Sequence, residues 1–458
     1  MKPGPIARLL GGLLLGLLAA TPAPAETLPE ALAAAYRFSP ELRAARHGLN
    51  VVNERRPQAL AAWAPTITLN GTAERVQSNS PGDPATAYRT GTLGMSSSLT
   101  LPITRGGGEY AALRGAEQLI RAQRALLLAT EQVVLGQAAQ AYMDVLLTQA
   151  VVRFRRDNLA ALRQTLALID RQMRVGDRTA VDAGLAQARL ANAEATLAQA
   201  VGAQAVALAA YEQAMGRPPE RLAMPQPLAM LPPNLAELLR LAEASNPEVV
   251  AAHFQMLAAR ADAEVQLAQL LPSLSLQVTD LRQRQRYVGY PWQPNGAVTG
   301  TTVGLVLTVP LYQGGAEYAQ VRSARKTALQ RAEELALARV RAKGNATTAW
   351  RQLETTQATR TGFSAALTAY ERLTVQYRRQ SEAGELTILE VLNGLQDLVD
   401  AQVNKATAEH DRILADFAVL NSVGGLTART LGLAVAHYDP EGDYRRTRWR
   451  IFGLTVAE

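Results

Sequence analysis

Cysteine is absent from the 458-residue sequence. That excludes disulfides, thiolate metal sites, a cysteine nucleophile and a lipidated N-terminal cysteine, so nothing in the chain is stapled or lipid-anchored. Histidine is nearly as scarce. His47, His253, His410 and His437 are scattered, with no i, i+4 pair and no carboxylate cluster in register, and helical surface is where they are expected. No metal site, cofactor or catalytic residue is assigned, since nucleophile motifs and phosphate loops are missing too. Apolar runs are short. Beyond the first residues none approaches 18 in length, so no transmembrane helix is available, and the chain can cross a membrane only as part of a closed barrel. Proline is missing from 103–217 and again from 311–439.

What is present begins with the N-terminus. Lys2 and Arg8 precede the apolar run 9–20, and Ala23-Pro24-Ala25 offers the small residues of a signal-peptidase site, so residues 1–25 read as a signal peptide. The run is too short for an anchor, because a spanning helix needs roughly 20 residues. The formal charge of +7 falls to +5 once Lys2 and Arg8 leave. The remaining arginines are interspersed with acidic residues along helical stretches, which describes solvated faces rather than a nucleic-acid stripe.

The strongest internal signal is a repeat. Leu28, Glu30, Leu32, Pro40, Glu41 and Pro65 recur 207 positions later as Leu235, Glu237, Leu239, Pro247, Glu248 and Pro272. The offset then becomes 208, pairing Leu99, Pro102, Gly106, Gly107, Glu109 and Tyr110 with Leu307, Pro310, Gly314, Gly315, Glu317 and Tyr318, and later Gly176 with Gly384, Thr179 with Thr387 and Gly216 with Gly424. One register held over so many positions means two copies of one unit. The first repeat is 26–217, a linker covers 218–234, the second repeat is 235–425, and 426–458 is a tail.

Each unit opens with apolar residues at helical spacing, predicting a helix of about 30 residues ended by Pro65 or Pro272. Period-2 segments follow. Strands are expected at about 66–78 and 91–103 in the first unit and about 272–282 and 301–310 in the second. Ile67 and Leu69 alternate with Thr68 and Asn70, and Val303, Leu305 and Leu307 with Thr302, Gly304 and Thr308. Membrane barrels alternate this way, one face to lipid and one to a wet lumen, although each segment alone also fits an ordinary half-buried hairpin. The proline-free stretches decide between them. They are rich in strong helix formers, and Glu109 to Arg174 as one helix would be about 99 Å long, deeper than any globular core. The breaks fall only at 175–179 and 382–387, so each unit ends in a long helical hairpin with its tip far from the strands. A periplasmic coiled-coil scaffold or adaptor is the alternative reading; it would repeat helical hairpins but needs no period-2 segments with an apolar face.

Over nearly the whole mature chain the sequence resembles the TolC family of outer-membrane efflux and type I secretion channels. The resemblance is carried by Leu28 to Pro40, by the strand exits Leu101 to Gly107 and Val309 to Gly315, and by the tips Arg174 to Thr179 and Ala383 to Asn393, in the same order in both halves. It implies an α+β membrane protein, a trimeric 12-stranded β-barrel with four strands per chain, continued by a long α-helical barrel of two tandem structural repeats. Strand arithmetic agrees: four strands leave open edges, two chains give a barrel filled by its own side chains, and three give a conduit. The resemblance further implies a passive exit duct in the outer membrane with its tunnel in the periplasm. Its partners would be outer-membrane lipid, a periplasmic adaptor (membrane fusion protein) and an inner-membrane ABC or RND-type pump.

At the tips, Asp182 and Glu390 hold equivalent repeat positions, and the resemblance implies that such carboxylates line the periplasmic constriction; Arg178, by its place near the first tip, reads either as a bridge to a neighbouring tip carboxylate that holds the entrance shut or as a solvated arginine. Asn393 stands where the family's pattern is more acidic, which puts a second acidic ring in doubt. Val175, Gly176, Thr179, Gly384, Leu386 and Thr387 would contact the adaptor. The segment 284–295, with Tyr287, Tyr290 and Trp292, reads as an external loop in preference to an interfacial aromatic girdle. The tail, with Arg445, Arg446, Arg448 and Arg450, is expected to wrap the outside of the tunnel and looks like the ending of type I secretion members. N-terminal sequencing of the membrane-bound protein should begin at Glu26; a retained Lys2 would contradict export by this signal.

Overall fold

A computed structural model describes residues 25–454 apart from 79–87, 177, 229, 289–293 and 384. The expected signal peptide and its expected cleavage site therefore lie outside the described residues except for Ala25, as do Tyr290, Trp292 and Gly384.

The opening helix of each repeat is broken where a single helix was expected. In the first repeat it is α1 (Leu28–Phe38), α2 (Pro40–Asn53) and α3 (Arg55–Leu60); in the second it is α6 (Leu235–Ser245) and α7 (Pro247–Ala268). At the α1–α2 and α6–α7 breaks the cause is Pro40 and Pro247, which lack the amide that would continue the ladder and instead begin a new helix. Each new start is capped: the Ser39 hydroxyl accepts from the Leu42 amide at 3.2 Å, and Asn246 Oδ1 from the Glu248 amide at 2.9 Å.

Four antiparallel strands form one sheet in the order β1 (Thr66–Ser78), β2 (Tyr88–Arg105), β3 (Ser273–Val288), β4 (Gly296–Thr308). β3 continues six residues beyond the expected end and β4 begins five before the expected start, so Arg284 to Val288, expected as loop, are strand. Polar Gln283, Arg284, Gln285 and Arg286 hide this extension from an apolar-alternation criterion. The registers Leu99↔Val278 and Val278↔Val303 put Ile67, Leu69, Leu93, Met95, Leu99, Leu276, Val278, Val303 and Leu305 on one face. Thr68, Ser98, Thr279 and Thr302 share the other, where Thr68 and Ser98 hydroxyls meet at 2.6 Å. Ile67 is 72% exposed and Leu305 66%. The chain thus presents a bare apolar face, and the β2–β3 pairing makes one sheet of two repeats.

From the sheet the long helices run away as α4 (Gly108–Arg174) and α8 (Ala316–Glu382), each 67 residues, and return as α5 (Ala180–Met215) and α9 (Ile388–Ser422). At 1.5 Å per residue the longer pair spans about 100 Å. No helix among the described residues is apolar enough to cross a membrane.

Midway, α1, α2, α4, α5 and α9 share the main core around the fully buried Tyr142 and Tyr211. The Tyr142 hydroxyl donates to the carbonyl oxygens of Glu26 and Ala223 at 2.8 and 2.5 Å, pinning the segment before α1 to the linker, and burial pushes its pKa up to about 12. His410, expected on a helical surface, is buried between α4 and α9; its Nε2 lies 2.9 Å from Asp144 Oδ1 and its Nδ1 2.8 Å from Asp411 Oδ1. Scarcity of histidine said nothing about its packing. The tail closes over the same region through α10 (Pro440–Thr447). Asn53 donates to the Asp443 carboxylate at 2.8 Å, and the Arg46 guanidinium lies between the rings of Tyr36 and Tyr438, 4.7 and 5.2 Å from their centroids.

The repeat equivalence extends to helix ends. Gly216 and Gly424 end α5 and α9 with φ of 75° and 78°; a Cβ there would lie 2.3 Å from the Phe38 ring and 2.5 Å from the Ser245 carbonyl oxygen. Gly216→Ala should therefore lower thermal stability, since the left-handed backbone costs an L-residue roughly 1–2 kcal/mol and overpacking typically 1–3 kcal/mol more. Gly202→Ala, on α5 with open space around it, should be neutral or stabilising in the same melting experiment.

Candidate functional site at the helical tips

The helices returning from the two tips start by the same device. α4 ends at Arg174, Gly176 takes φ of 89°, and Thr179 in extended conformation starts α5. Its hydroxyl accepts from the Asp182 amide at 3.3 Å, while the Asp182 carboxylate accepts from the Thr179 amide at 3.0 Å and hydroxyl at 2.9 Å. At the second tip the Thr387 hydroxyl accepts from the Glu390 amide at 3.4 Å, and the Glu390 carboxylate accepts from the Thr387 amide and hydroxyl at 3.0 and 2.7 Å. These reciprocal bonds satisfy amides that a helix start leaves unpaired, and they put negative charge at the positive end of the helix dipole.

Both carboxyl groups consequently sit below their ordinary range. The Thr179 amide, then its hydroxyl, stabilises the ionised form of Asp182; for Glu390 the Thr387 hydroxyl leads and the amide follows. Capping and charge are compatible roles, since an ionised carboxylate bound through one oxygen keeps lone pairs free for a cation.

Packing joins the two tips. Ile388, Val391 and Leu392 of α9 share a core with Ala183 and Ala186 of α5 and with Leu162 and Ile169 of α4. Beyond it Arg189 Nη2 donates to Asn393 Oδ1 at 2.9 Å, linking the repeats. Asn393, where a second acid was expected to be in doubt, thus serves as an acceptor for arginine. Arg178 is half-buried and its Nε donates to Gln172 Oε1 at 3.4 Å; among the described residues no ion pair joins it to a tip carboxylate of its own chain. Val175 is 72% exposed, and Gly176, Thr179 and Thr387 are also exposed, whereas Leu386 packs partly buried against the tip core.

Two apolar residues escaped the sequence reading. Val181 and Leu389 are 79% and 46% exposed, each just inside a capped helix start and separated by the same 208 positions as Asp182 and Glu390. That offset would have found them. Arg189 had a signal as well, standing at the repeat position of the oppositely charged Asp397.

A sheet with one apolar face and two unpaired edges, carried on helices that reach about 100 Å to adjoining capped tips, is one segment of a barrel and tunnel and defines a channel subunit. Residues 32–217 and 238–425 match the outer membrane efflux protein family, one match per repeat, and the chain belongs to that family. It is 32% identical over 438 residues to the outer membrane efflux protein BepC of Brucella suis, covering 94% of this chain and 93% of that one. To the outer membrane protein TolC of Vibrio cholerae it is 26% identical over 359 residues, 71% and 77% of the two chains. In fold it matches the Campylobacter jejuni CmeC outer membrane channel with a TM-score of 0.78 at 14% identity, over 92% of this chain and 89% of that one. The protein is an export channel component of the outer membrane, and the scaffold alternative is set aside.

The capping role has a pH signature. Because both folded-state values are lowered, the carboxylates stabilise the tips fully above their ordinary values of 3.8 and 4.5, and this contribution is lost as pH falls through the lowered ones. Amide hydrogen exchange at 179–182 and 387–390 should accelerate, relative to the helix centres, on acidification below about pH 4.5. Asp182→Ala and Glu390→Ala should each raise exchange at their own tip at neutral pH.

Proposed function

We propose that three copies close one twelve-stranded barrel and one helical tunnel, forming a passive exit duct. At the tips it meets a periplasmic adaptor (a membrane fusion protein), behind which stands an inner-membrane ABC or RND-type pump. The observation that carries this reading is the pair of unpaired edges on β1 and β4, at the two ends of a sheet whose apolar face is bare. Hydrocarbon offers the edge amides and carbonyls no partner, so copies must supply one another's edges, and a conduit needs more than eight strands. The helical part supports the same assembly: α8 leaves Leu329 and Val340 more than 65% exposed, apolar surface that neighbouring copies would cover.

Within this assembly Asp182 and Glu390 of three chains form a ring of carboxylates at the narrow periplasmic end. Arg178, which donates a long hydrogen bond to Gln172 and lies near enough to Asp182 of its own chain to favour the ionised carboxylate, can reach a neighbouring chain's tip. Val175, Gly176, Thr179, Gly384, Leu386 and Thr387, with Val181 and Leu389 beside them, make the adaptor contact. The exposure of Val175, Val181 and Leu389 at the far end of solvated helices supports that use.

The detergent-solubilised protein should have the mass of a trimer and dissociate on boiling; a monodisperse monomer would overturn the assembly. In planar bilayers the trimer should prefer cations, and the Asp182→Ala/Glu390→Ala double variant should lose much of that preference. Arg178→Ala should raise conductance. Unchanged selectivity in the double variant would remove these residues from the constriction.

A further inference from the structure

The apolar face of the sheet changes character at the end away from the helices. Followed outward along β3, that face carries Leu274, Leu276 and Val278, then Asp280, then Arg282, Arg284 and Arg286. Register places Arg75 of β1 and Arg89 of β2 on the same face, since Arg75 and Arg286 both pair with Gly91, and Arg89 pairs with Val288. All five arginines are exposed. Asp280 is the face's one carboxylate among the described residues; it lies 3.4 Å from Arg282 and accepts from the Thr301 hydroxyl at 2.8 Å. Among those residues Arg75, Arg89, Arg284 and Arg286 have no acidic partner.

These arginines cannot be assigned to the lumen. Adjacent strand positions point to opposite faces, and the lumenal positions at this height include Thr72, Glu74, Thr92, Gln283 and Gln285. Their height is informative. Arg282 and Arg286 stand 8 and 12 residues beyond Leu274, about 26 and 40 Å along the strand at 3.3 Å per residue. At a strand tilt near 40° that is about 20 and 30 Å along the barrel axis, bracketing an apolar band about 25 Å tall. The arginine rim therefore lies where acyl chains give way to headgroups. It also has a built gap. Arg75, Gly91 and Arg286 lie in one row across three strands, so two guanidinium-bearing positions about 10 Å apart flank a position with no side chain. Nothing lies within 4 Å of where a Cβ at Gly91 would be.

We propose that this rim binds the phosphorylated sugar headgroup of an outer-leaflet lipid, with a phosphate seated over Gly91 between Arg75 and Arg286. The occupant follows from two features together: the rim continues the acyl-facing band, and its uncompensated forked cations match phosphate oxygens bidentately. A soluble phosphate would satisfy the charge but make no use of the band.

The test uses the full-length protein in detergent, with the bisphosphorylated, six-chain glucosamine lipid as probe. Its dephosphorylated counterpart and inorganic pyrophosphate are the comparison ligands, and bound lipid is counted by native mass spectrometry. The bisphosphorylated lipid should bind about tenfold more tightly than the dephosphorylated one, as charge-assisted pairs require. Arg75→Gln/Arg286→Gln should abolish that preference, and Gly91→Leu, which retains every charge but fills the gap, should weaken it. Arg341→Gln/Arg372→Gln, removing two exposed arginines from α8, should change nothing. Equal binding of the two lipids, or an unchanged preference in the double rim variant, would overturn the proposal. So would competition by pyrophosphate at the lipid's own concentration, which would reassign the site to soluble phosphate. If the double variant fails to fold, Gly91→Leu is read alone, and an unchanged preference there overturns the seat.

Discussion

Everything in this architecture answers to the backbone groups on two strand edges. A sheet of four strands in hydrocarbon leaves the outer amides and carbonyls of β1 and β4 without partners, each at a cost of several kcal/mol. No rearrangement within one chain removes that cost, because both repeats have already been spent on the β2–β3 pairing that makes one sheet from two hairpins. In the assembly proposed above further copies supply that closure, and once copies are arranged around an axis their helices are arranged around it as well. The tunnel is a geometric consequence of closing the barrel.

Duplication then lets one set of local solutions serve twice. The capping boxes Thr179/Asp182 and Thr387/Glu390, and the left-handed helix ends at Gly216 and Gly424, are the same chemistry at a fixed offset. The two outward helices, equal at 67 residues, differ in burial rather than in length. α4 buries residues along its length, against the tail, α2 and α9, while the equally long α8 leaves much of its surface open. Equal helices in unequal surroundings give each copy a covered side and an uncovered side.

The sequence discloses this plan because its signals are long. A register held across two hundred positions, two proline-free stretches and period-2 runs of small polar and apolar residues survive local exceptions. The α4 helix expected from Glu109 begins one residue earlier, at Gly108. The short-range features were less visible. Pro40 and Pro247 permit either a kink or a fresh start, and only the Ser39 and Asn246 caps decide it. The end of β3 is written in arginine and glutamine, which say nothing of strand until register is known. At the tips the carboxylates were found by position, but their bonding to Thr179 and Thr387 was not anticipated, although the T-x-x-D and T-x-x-E spacings were present. Burial of His410 depends on the approach of α9 to α4, a contact across 266 positions that no local pattern encodes.

The hydrogen bond between Asn53 and Asp443 joins residues 390 positions apart, fastening the last helix of the chain onto the second. Loop-closure entropy grows only logarithmically with span, so the length itself is no great thermodynamic obstacle. Order of events is another matter. The tail residues leave the ribosome after both repeats, and until they arrive the cleft flanked by Tyr36, Arg46 and Asn53 has no cover. A prematurely terminated chain would therefore hold both repeats and every strand yet remain unlatched at its midsection. In this way the midsection registers whether synthesis has run past α10.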